Sequence, residues 1–171
     1  MHPWLKKIAA SRVLVIGDAM LDRYYFADVT RISPEGPVPV ALVKSVKNTL
    51  GGAANVAHNL ARLGCRVALV GVSGDDENCR SMEGKLDALG ISHAGLIRTK
   101  HPTTTKVRVM GGHQQMIRLD FENTEPISRK LEKQLIADIR AELQEGVDAV
   151  ILSDYAKGVM TKNVIRAVIE R

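Results

Sequence analysis

Three short, unbroken apolar runs, Val13-Leu14-Val15-Ile16, Val67-Ala68-Leu69-Val70 and Ala149-Val150-Ile151-Leu152, constrain this chain most, and each ends in glycine or a small polar residue. A strand that carries apolar side chains on both faces needs cover on both faces, which is the condition of a parallel sheet between helical layers. Helical patterns separate and follow the runs. Val56, Leu60 and Leu63 share one face, as do Cys79, Met82, Leu86 and Leu89, then Leu131, Leu135, Ile139 and Leu143, and last Val164, Ile165, Val168 and Ile169. Asp75 or Asp76 can cap the second helix, Gly90 can end it and Thr161 can cap the last. Strands alternating with helices predict an α/β, doubly wound, mainly parallel sheet.

Two stretches break that rhythm. Residues 23–46 set Pro34, Pro37 and Pro39 beside Val38, Val40, Leu42 and Val46, and residues 103–121 alternate through Val107, Val109, Met116, Ile117, Leu119 and Phe121. Their period is nearer two, which predicts antiparallel strands in a small sheet outside the main one, a lid. Three parallel strands are few for a doubly wound domain, and residue 171 falls in or just past an apolar helical face. The expectation is an incomplete sheet with an open edge.

Composition excludes several classes. Apolar residues at 45% and charged residues at 25% exclude wholesale disorder, and aromatics at 4% leave the core to Val, Ile, Leu, Ala and Met. Cys65 and Cys79 lack the number and spacing of a disulfide framework or a zinc site, so they read as small buried hydrophobes in a reducing, cytoplasmic setting. No apolar run approaches the roughly 18 residues that cross a bilayer, and the opening residues lack a secretory core, so no membrane partner is expected. The net charge of +5 favours anionic ligands. Its basic residues are scattered without interleaved aromatics, so nucleic acid is not expected as a partner. The five histidines share no ligand spacing, and no metal role is assigned to them.

The candidate chemistry lies where the strands end. Asp18 follows the first run directly and Asp22 lies a helical turn or short loop beyond; each either accepts sugar hydroxyls in the crevice of an open sheet or does local work, Asp18 capping a turn and Asp22 facing solvent. Gly51-Gly52-Ala53-Ala54-Asn55 opens a helix with small residues, letting backbone approach an anion or hydroxyl, or merely packing tightly; Asn55 offers a donor and an acceptor. Ser153-Asp154-Tyr155-Ala156-Lys157-Gly158 should lie on the same edge as Asp18, with Asp154 a further substrate contact and Lys157 able to meet a phosphate, or the whole a polar loop. Lys106 and Arg108 alternate on the lid opposite Arg118, Gln114 and Gln115, placing guanidinium where it can grip a phosphate or remain solvated.

These segments together, Gly17-Asp18 through Asp22-Arg23-Tyr24, Ile32-Ser33-Pro34-Glu35-Gly36-Pro37-Val38-Pro39-Val40, Gly51-Gly52-Ala53-Ala54-Asn55-Val56-Ala57 and Ser153-Asp154-Tyr155-Ala156-Lys157-Gly158-Val159, resemble the ribokinase/PfkB carbohydrate kinases. Within them the heptose 7-phosphate kinases of ADP-heptose and lipopolysaccharide core synthesis are most similar, and the lid segment is the most specific match. The resemblance covers nearly the whole chain. It implies a ribokinase-like fold and transfer of the ATP γ-phosphoryl group, with Mg²⁺, to the anomeric hydroxyl of D-glycero-β-D-manno-heptose 7-phosphate. Asp18, Asp22, Gly51, Gly52 and Asn55 would then hold the sugar, Arg108 its distal phosphate, and Lys157 would contact phosphate or ATP. The lid would pair with a second subunit in a homodimer.

One element of the resemblance is absent. The family's catalytic Asp lies in a Gly-Ala-Gly-Asp motif in the second half, and no such motif occurs among these residues. Gly71-Val72-Ser73-Gly74-Asp75 follows the second strand and reads as a helix cap. The resemblance therefore implies that residues 1–171 are the N-terminal part of a kinase domain, truncated after its first half, without the nucleotidyltransferase domain. Such a chain is expected to carry the sugar site but no catalytic base, and to be inactive alone. The competing readings are an inactive sugar-phosphate-binding fragment and a subunit-interaction module.

Overall fold

The computed structural model describes residues 3–170. A short helix α1 (Pro3–Ala9) leads into strand β1 (Arg12–Gly17), which lies between β4 (Arg66–Gly74) and β8 (Ala149–Ser153), while β5 (Leu96–Thr99) extends the β4 side. Every pairing in this sheet, of order β5-β4-β1-β8, is parallel. The unbroken runs are explained by the alternation within them. Val13, Val15 and Leu69 join the core under α2 (Gly52–Arg62) and α3 (Glu77–Asp87), with Ala53, Ala57, Met82 and Leu86. Leu14, Ile16 and Val70 join the core under α4 (Arg129–Gln144) and α5 (Lys162–Ile169), with Leu135, Ile139, Leu143 and Val164. Leu14, Ile16 and Leu69 are wholly buried, each contributing roughly 1.5–3 kcal/mol. The doubly wound sheet expected from the sequence is thus present. Among the described residues β8 pairs only with β1, which leaves one edge open.

Two details differ from the sequence reading. The sheet has a fourth strand, β5, because backbone pairing of Leu96–Thr99 with Gly71–Gly74 recruits a segment with only two apolar residues. Gly71 to Gly74 are themselves strand, since β4 runs on to Gly74. The cap of α3 is Asp76, whose carboxylate accepts from the Cys79 amide at 2.9 Å, while Asp75 pairs with Arg98.

Asp76 also anchors the segment entering the lid. It accepts from the Thr103 amide at 2.8 Å and from the Thr103 hydroxyl at 2.6 Å, and that hydroxyl oxygen accepts from the Gly74 amide at 3.1 Å and lies 3.1 Å from the Ser73 hydroxyl. Burial pushes the Asp76 carboxyl up, but the Thr103 hydroxyl and amide, with the amides of Cys79 and Asn78, pull it below its ordinary value. Thr103 is wholly buried. Thr103→Val keeps the shape and removes the hydroxyl, so it is expected to cost roughly 2 kcal/mol or more in urea denaturation at pH 7. A carboxyl whose folded pKa is depressed stabilises above its unfolded pKa and loses that contribution as pH falls through the folded one. The gap between parent and variant should therefore narrow below about pH 4.

The second sheet holds β2 (Ala19–Ile32), β3 (Pro39–Gly51), β6 (Thr105–Gly111) and β7 (Gln114–Phe121) in the order β3-β2-β6-β7. Hairpins β2–β3 and β6–β7 are antiparallel, but the central β2–β6 pair is parallel, which corrects the wholly antiparallel lid read from the period. The lid strands also reach further than residues 23–46. β2 starts at Ala19, which places Asp22 on a strand and not on a helical turn or loop. The register puts Asp22, Tyr24, Lys106, Arg108, Arg118 and Asp120 on one face and Val46, Val107, Val109, Ile117, Leu119 and Phe121 on the other.

Candidate functional site

In an open α/β sheet ligands bind outside the carboxyl ends of the strands, where the winding reverses. Here β1 connects toward β4 on one side and β8 lies on the other, so the reversal falls between β1 and β8. Asp18 occupies that point and is 2% exposed. Its amide donates to the Ser153 carbonyl at 3.1 Å and its carbonyl accepts from the Ala53 amide at 2.9 Å. Its carboxylate accepts three loop amides, Tyr155 at 2.7 Å and Lys157 at 3.2 Å on Oδ2, and Val159 at 3.3 Å on Oδ1. The loop curls around the carboxylate through Ala156 at φ +57° and Gly158 at φ +87°. Of the two roles open to Asp18, turn-holding is the one its geometry displays.

Asp154 and Lys157 are also engaged locally. Asp154 is exposed and accepts from the Ala156 amide at 2.8 Å. Lys157 Nζ donates to Glu122 at 2.9 Å, and Glu122 also receives Lys106 at 3.2 Å. Lys106 reaches Asp120 at 3.0 Å, and Arg118 reaches Asp120 at 3.0 Å. A run of alternating charges therefore ties the lid to the loop after β8. The Lys157 hydrogen bond holds the Glu122 carboxyl below its ordinary value against burial, with Lys106 assisting. Burial draws the Lys106 ammonium down, and its bonds to Asp120 and Glu122 more than reverse this. Sequence reasoning missed Glu122 and Asp120. The hairpin register, which sets Asp120 opposite Lys106, was the available signal for the second.

Asp22 and Arg108 form an ion pair across the parallel strands at 2.5 Å, and the Arg108 guanidinium lies 5.2 Å from the centroid of the Tyr24 ring. Gly51 makes room for this carboxylate, because a Cβ there would fall 2.6 Å from Asp22 Oδ2. Gly52 starts α2 at φ +52°, and a Cβ on it would fall 2.3 Å from the Asp18 carbonyl oxygen. Asn55 is exposed on the first turn of α2.

The candidate residues divide between two clefts. One, of about 300 Å³ at the winding reversal, is lined by Asp18, Ser73, Thr99, His101, Lys157 and Val159. The other, of about 550 Å³ between the root of the lid and helices α2 and α3, is lined by Asp22, Tyr24, Thr49, Asn55, His58 and Lys85. Asp22 and Asn55 thus come together, apart from Asp18 and Lys157. Mg²⁺ beside nucleotide phosphates needs one or two free carboxylates. Asp18 is held by three amides, Asp22 by Arg108 and Glu122 by two lysines. Glu125 also lines the first cleft, and among the described residues its carboxylate has no ion pair, so one carboxylate there is free to meet Mg²⁺. Among the described residues no cluster of three His, Cys, Asp or Glu side chains suits a metal ion, and no helix is long and apolar enough to cross a membrane.

Comparison with known proteins gives consistent matches. The family model described as pfkB family carbohydrate kinase matches residues 10–169. The D-beta-D-heptose 7-phosphate kinase of Bordetella bronchiseptica is 48% identical over 157 residues, which cover 92% of this chain and 49% of that protein. The bifunctional protein HldE of Methylobacillus flagellatus is 47% identical over 161 residues, covering 92% of this chain and 32% of that protein. The chain thus spans between about a third and a half of the length of these relatives. Among solved structures, the tetrameric inhibited form of phosphofructokinase-2 from Escherichia coli superposes with a TM-score of 0.66 at 18% identity, over 94% of this chain and 52% of that one. That likeness bears on the fold, which is ribokinase-like.

Proposed function

Since the chain belongs to the pfkB family of carbohydrate kinases, we propose that it supplies the sugar-binding half of an ATP-dependent kinase acting on the anomeric hydroxyl of heptose 7-phosphate. The observation that carries this reading is the convergence of Asp22, seated against Gly51, with Asn55 on one cleft beneath the lid. A carboxylate and an amide side by side accept and donate hydrogen bonds to a run of sugar hydroxyls. The heptose is favoured over other sugars by the names of the relatives that share nearly half of this chain's residues.

In this reading Asp22, Gly51, Gly52 and Asn55 form the sugar site. Asp18 holds the α2 start and the 153–159 loop in position, and Arg108 sets the Asp22 carboxylate. Lys157, released from Glu122, and Asp154 are the groups nearest the loop that a transferring phosphate would meet. ATP and Mg²⁺ supply the phosphoryl group and neutralise its charge; their seat, with the catalytic base, falls to the remaining length of the relatives' kinase domain. The reaction belongs to the cytoplasm, where ATP and the sugar phosphate are made. The apolar lid face, with Val46, Ile117, Leu119 and Phe121 each 44–53% exposed, fits a second copy of the chain in a homodimer.

Isothermal titration of the purified chain tests the reading. Heptose 7-phosphate is expected to bind, ATP–Mg²⁺ not to bind, and no turnover to occur. Asp22→Asn should weaken the sugar roughly 10- to 100-fold, the loss of one charge-assisted contact. Unaltered affinity in that variant, or no sugar binding by the parent, overturns the assignment. ATP-dependent turnover by the chain overturns the placement of the base elsewhere.

A further inference from the structure

Arg108 was the cation expected to meet the distal phosphate, yet its guanidinium is committed to Asp22 and stacked near Tyr24. Asp22 lines the 550 Å³ cleft, and the Arg108 charge cancels that of its carboxylate. The cleft retains one further ionic group, Lys85, half-buried on the last turn of α3. Among the described residues the Lys85 side chain forms no ion pair and no hydrogen bond. The same holds for the side chains of His58 on α2, Asn55 at its start and Thr49 on β3, all lining the same cleft. No polar side-chain atom of Lys85, His58 or Thr49 is buried without a partner, and Asn55 is exposed, so all four are open to a ligand in the cleft. Four donor side chains gathered around a cavity, one of them an uncompensated ammonium, describe a complement to an anion with several acceptor oxygens.

We propose that Lys85 and His58, with Thr49, form the subsite for the phosphate at the non-reacting end of the substrate, while Arg108 acts on the sugar only through Asp22. The inference rests on the sugar-kinase reading above and names a specificity-determining pair within it. Its chemistry is simple. A phosphomonoester presents three oxygens, Lys85 Nζ donates to one as a point charge, and the imidazole N–H and the Thr49 hydroxyl donate to the others. Asn55, at the lid root beside Asp22, stays with the sugar hydroxyls. Selection for the phosphorylated sugar then comes chiefly from two helices of the main domain, with Thr49 at the root of the lid assisting.

The test compares heptose 7-phosphate with the same heptose lacking its phosphate, by titration calorimetry on the parent chain and on Lys85→Ala, Lys85→Arg and Arg108→Ala. Lys85→Ala is expected to lower affinity for the phosphorylated sugar roughly 10- to 100-fold, the range for a hydrogen bond to a charged group, and to leave the unphosphorylated sugar unchanged. Lys85→Arg should recover most of the loss, and Arg108→Ala should weaken both sugars by the same factor. If Lys85→Ala leaves the ratio of the two affinities as it is in the parent, or if Arg108→Ala is the variant that lowers it, the subsite assignment is wrong while the kinase reading stands. Inorganic phosphate provides the separate readout. It should shift the His58 ring resonances of the parent and not those of Lys85→Ala. A parent that binds neither sugar but shows this shift loses the kinase reading and keeps the anion subsite; a parent that shows neither loses both.

Discussion

Asp18→Ala should be strongly destabilising, lowering the unfolding free energy by roughly 3–5 kcal/mol in urea denaturation followed by circular dichroism. The variant removes the common acceptor of the Tyr155, Lys157 and Val159 amides from a site that is 2% exposed. Hydrogen bonds to an ionised acceptor are stronger than neutral ones, and an abandoned buried amide carries its full desolvation cost. Water can reach the exposed Asp154–Tyr155 side of the loop and relieve part of the loss, which limits the estimate. Asp18→Asn keeps the volume but turns an amide group toward backbone N–H donors, so it should fall between parent and alanine. A variant within about 1 kcal/mol of the parent would show that the loop holds its curl without the carboxylate.

Two adjacent glycines should give different results. Gly52→Ala places a Cβ in a left-handed conformation and 2.3 Å from the Asp18 carbonyl oxygen. The start of α2 has to move, and the Ala53 amide bond to that oxygen is lost with it. Unfolding free energy is expected to drop by roughly 2–4 kcal/mol. Gly51 has an ordinary extended backbone, φ −126°, so alanine is accommodated there without backbone strain. Its methyl group enters the space of Asp22 Oδ2 and pushes the carboxylate off its position. The same methyl falls 2.9 Å from Cγ of the buried Met20, whose flexible side chain shifts, so Gly51→Ala should lose less stability than Gly52→Ala and bind heptose 7-phosphate roughly tenfold or more weakly. Equal effects on stability and binding in both variants would contradict this division.

The parts of this fold that were legible before the structure are those where one short segment carries its own reason. Val13 to Ile16, Val67 to Val70 and Ala149 to Leu152 are strands because an unbroken apolar run has to be covered twice, and α3 and α5 begin at Asp76 and Thr161, whose side chains accept a first-turn amide. Strand β5 was not legible, since Leu96–Thr99 is strand only because Gly71–Gly74 offers it a ladder. The parallel pairing of β2 with β6 was hidden for a related reason. Period two shows that a segment is a strand with two unlike faces, and says nothing about the direction of its neighbour.

The site divides in the same way. That Asp18 and Lys157 lie just beyond strand ends, and Asn55 at a helix start, followed from their position after apolar runs and glycines. Which of them faces a ligand depends on partners distant in the chain. Asp18 is taken up by amides 137 to 141 residues away, Lys157 by Glu122 and Arg108 by Asp22. Lys85 and His58 drew no attention in the sequence because each lies within a helix whose apolar face explains its neighbours. Only the absence of partners around them, visible in three dimensions, sets them apart.

The joints of the lid have a mechanical consequence. A single residue, Asp18, separates β1 from β2, and none separates β3 from α2. A flap swings on slack chain, and there is none here on either side of the first hairpin. Tilting that hairpin rotates the Gly17–Ala19 and Gly51–Gly52 peptides directly, and Asp18, Asp22 and Asn55 with them. The lid is a lever with its fulcrum at the cleft that holds Asp22 and Asn55. Any force on its outer face, such as the docking of another subunit, is delivered at once to the groups proposed to grip the sugar.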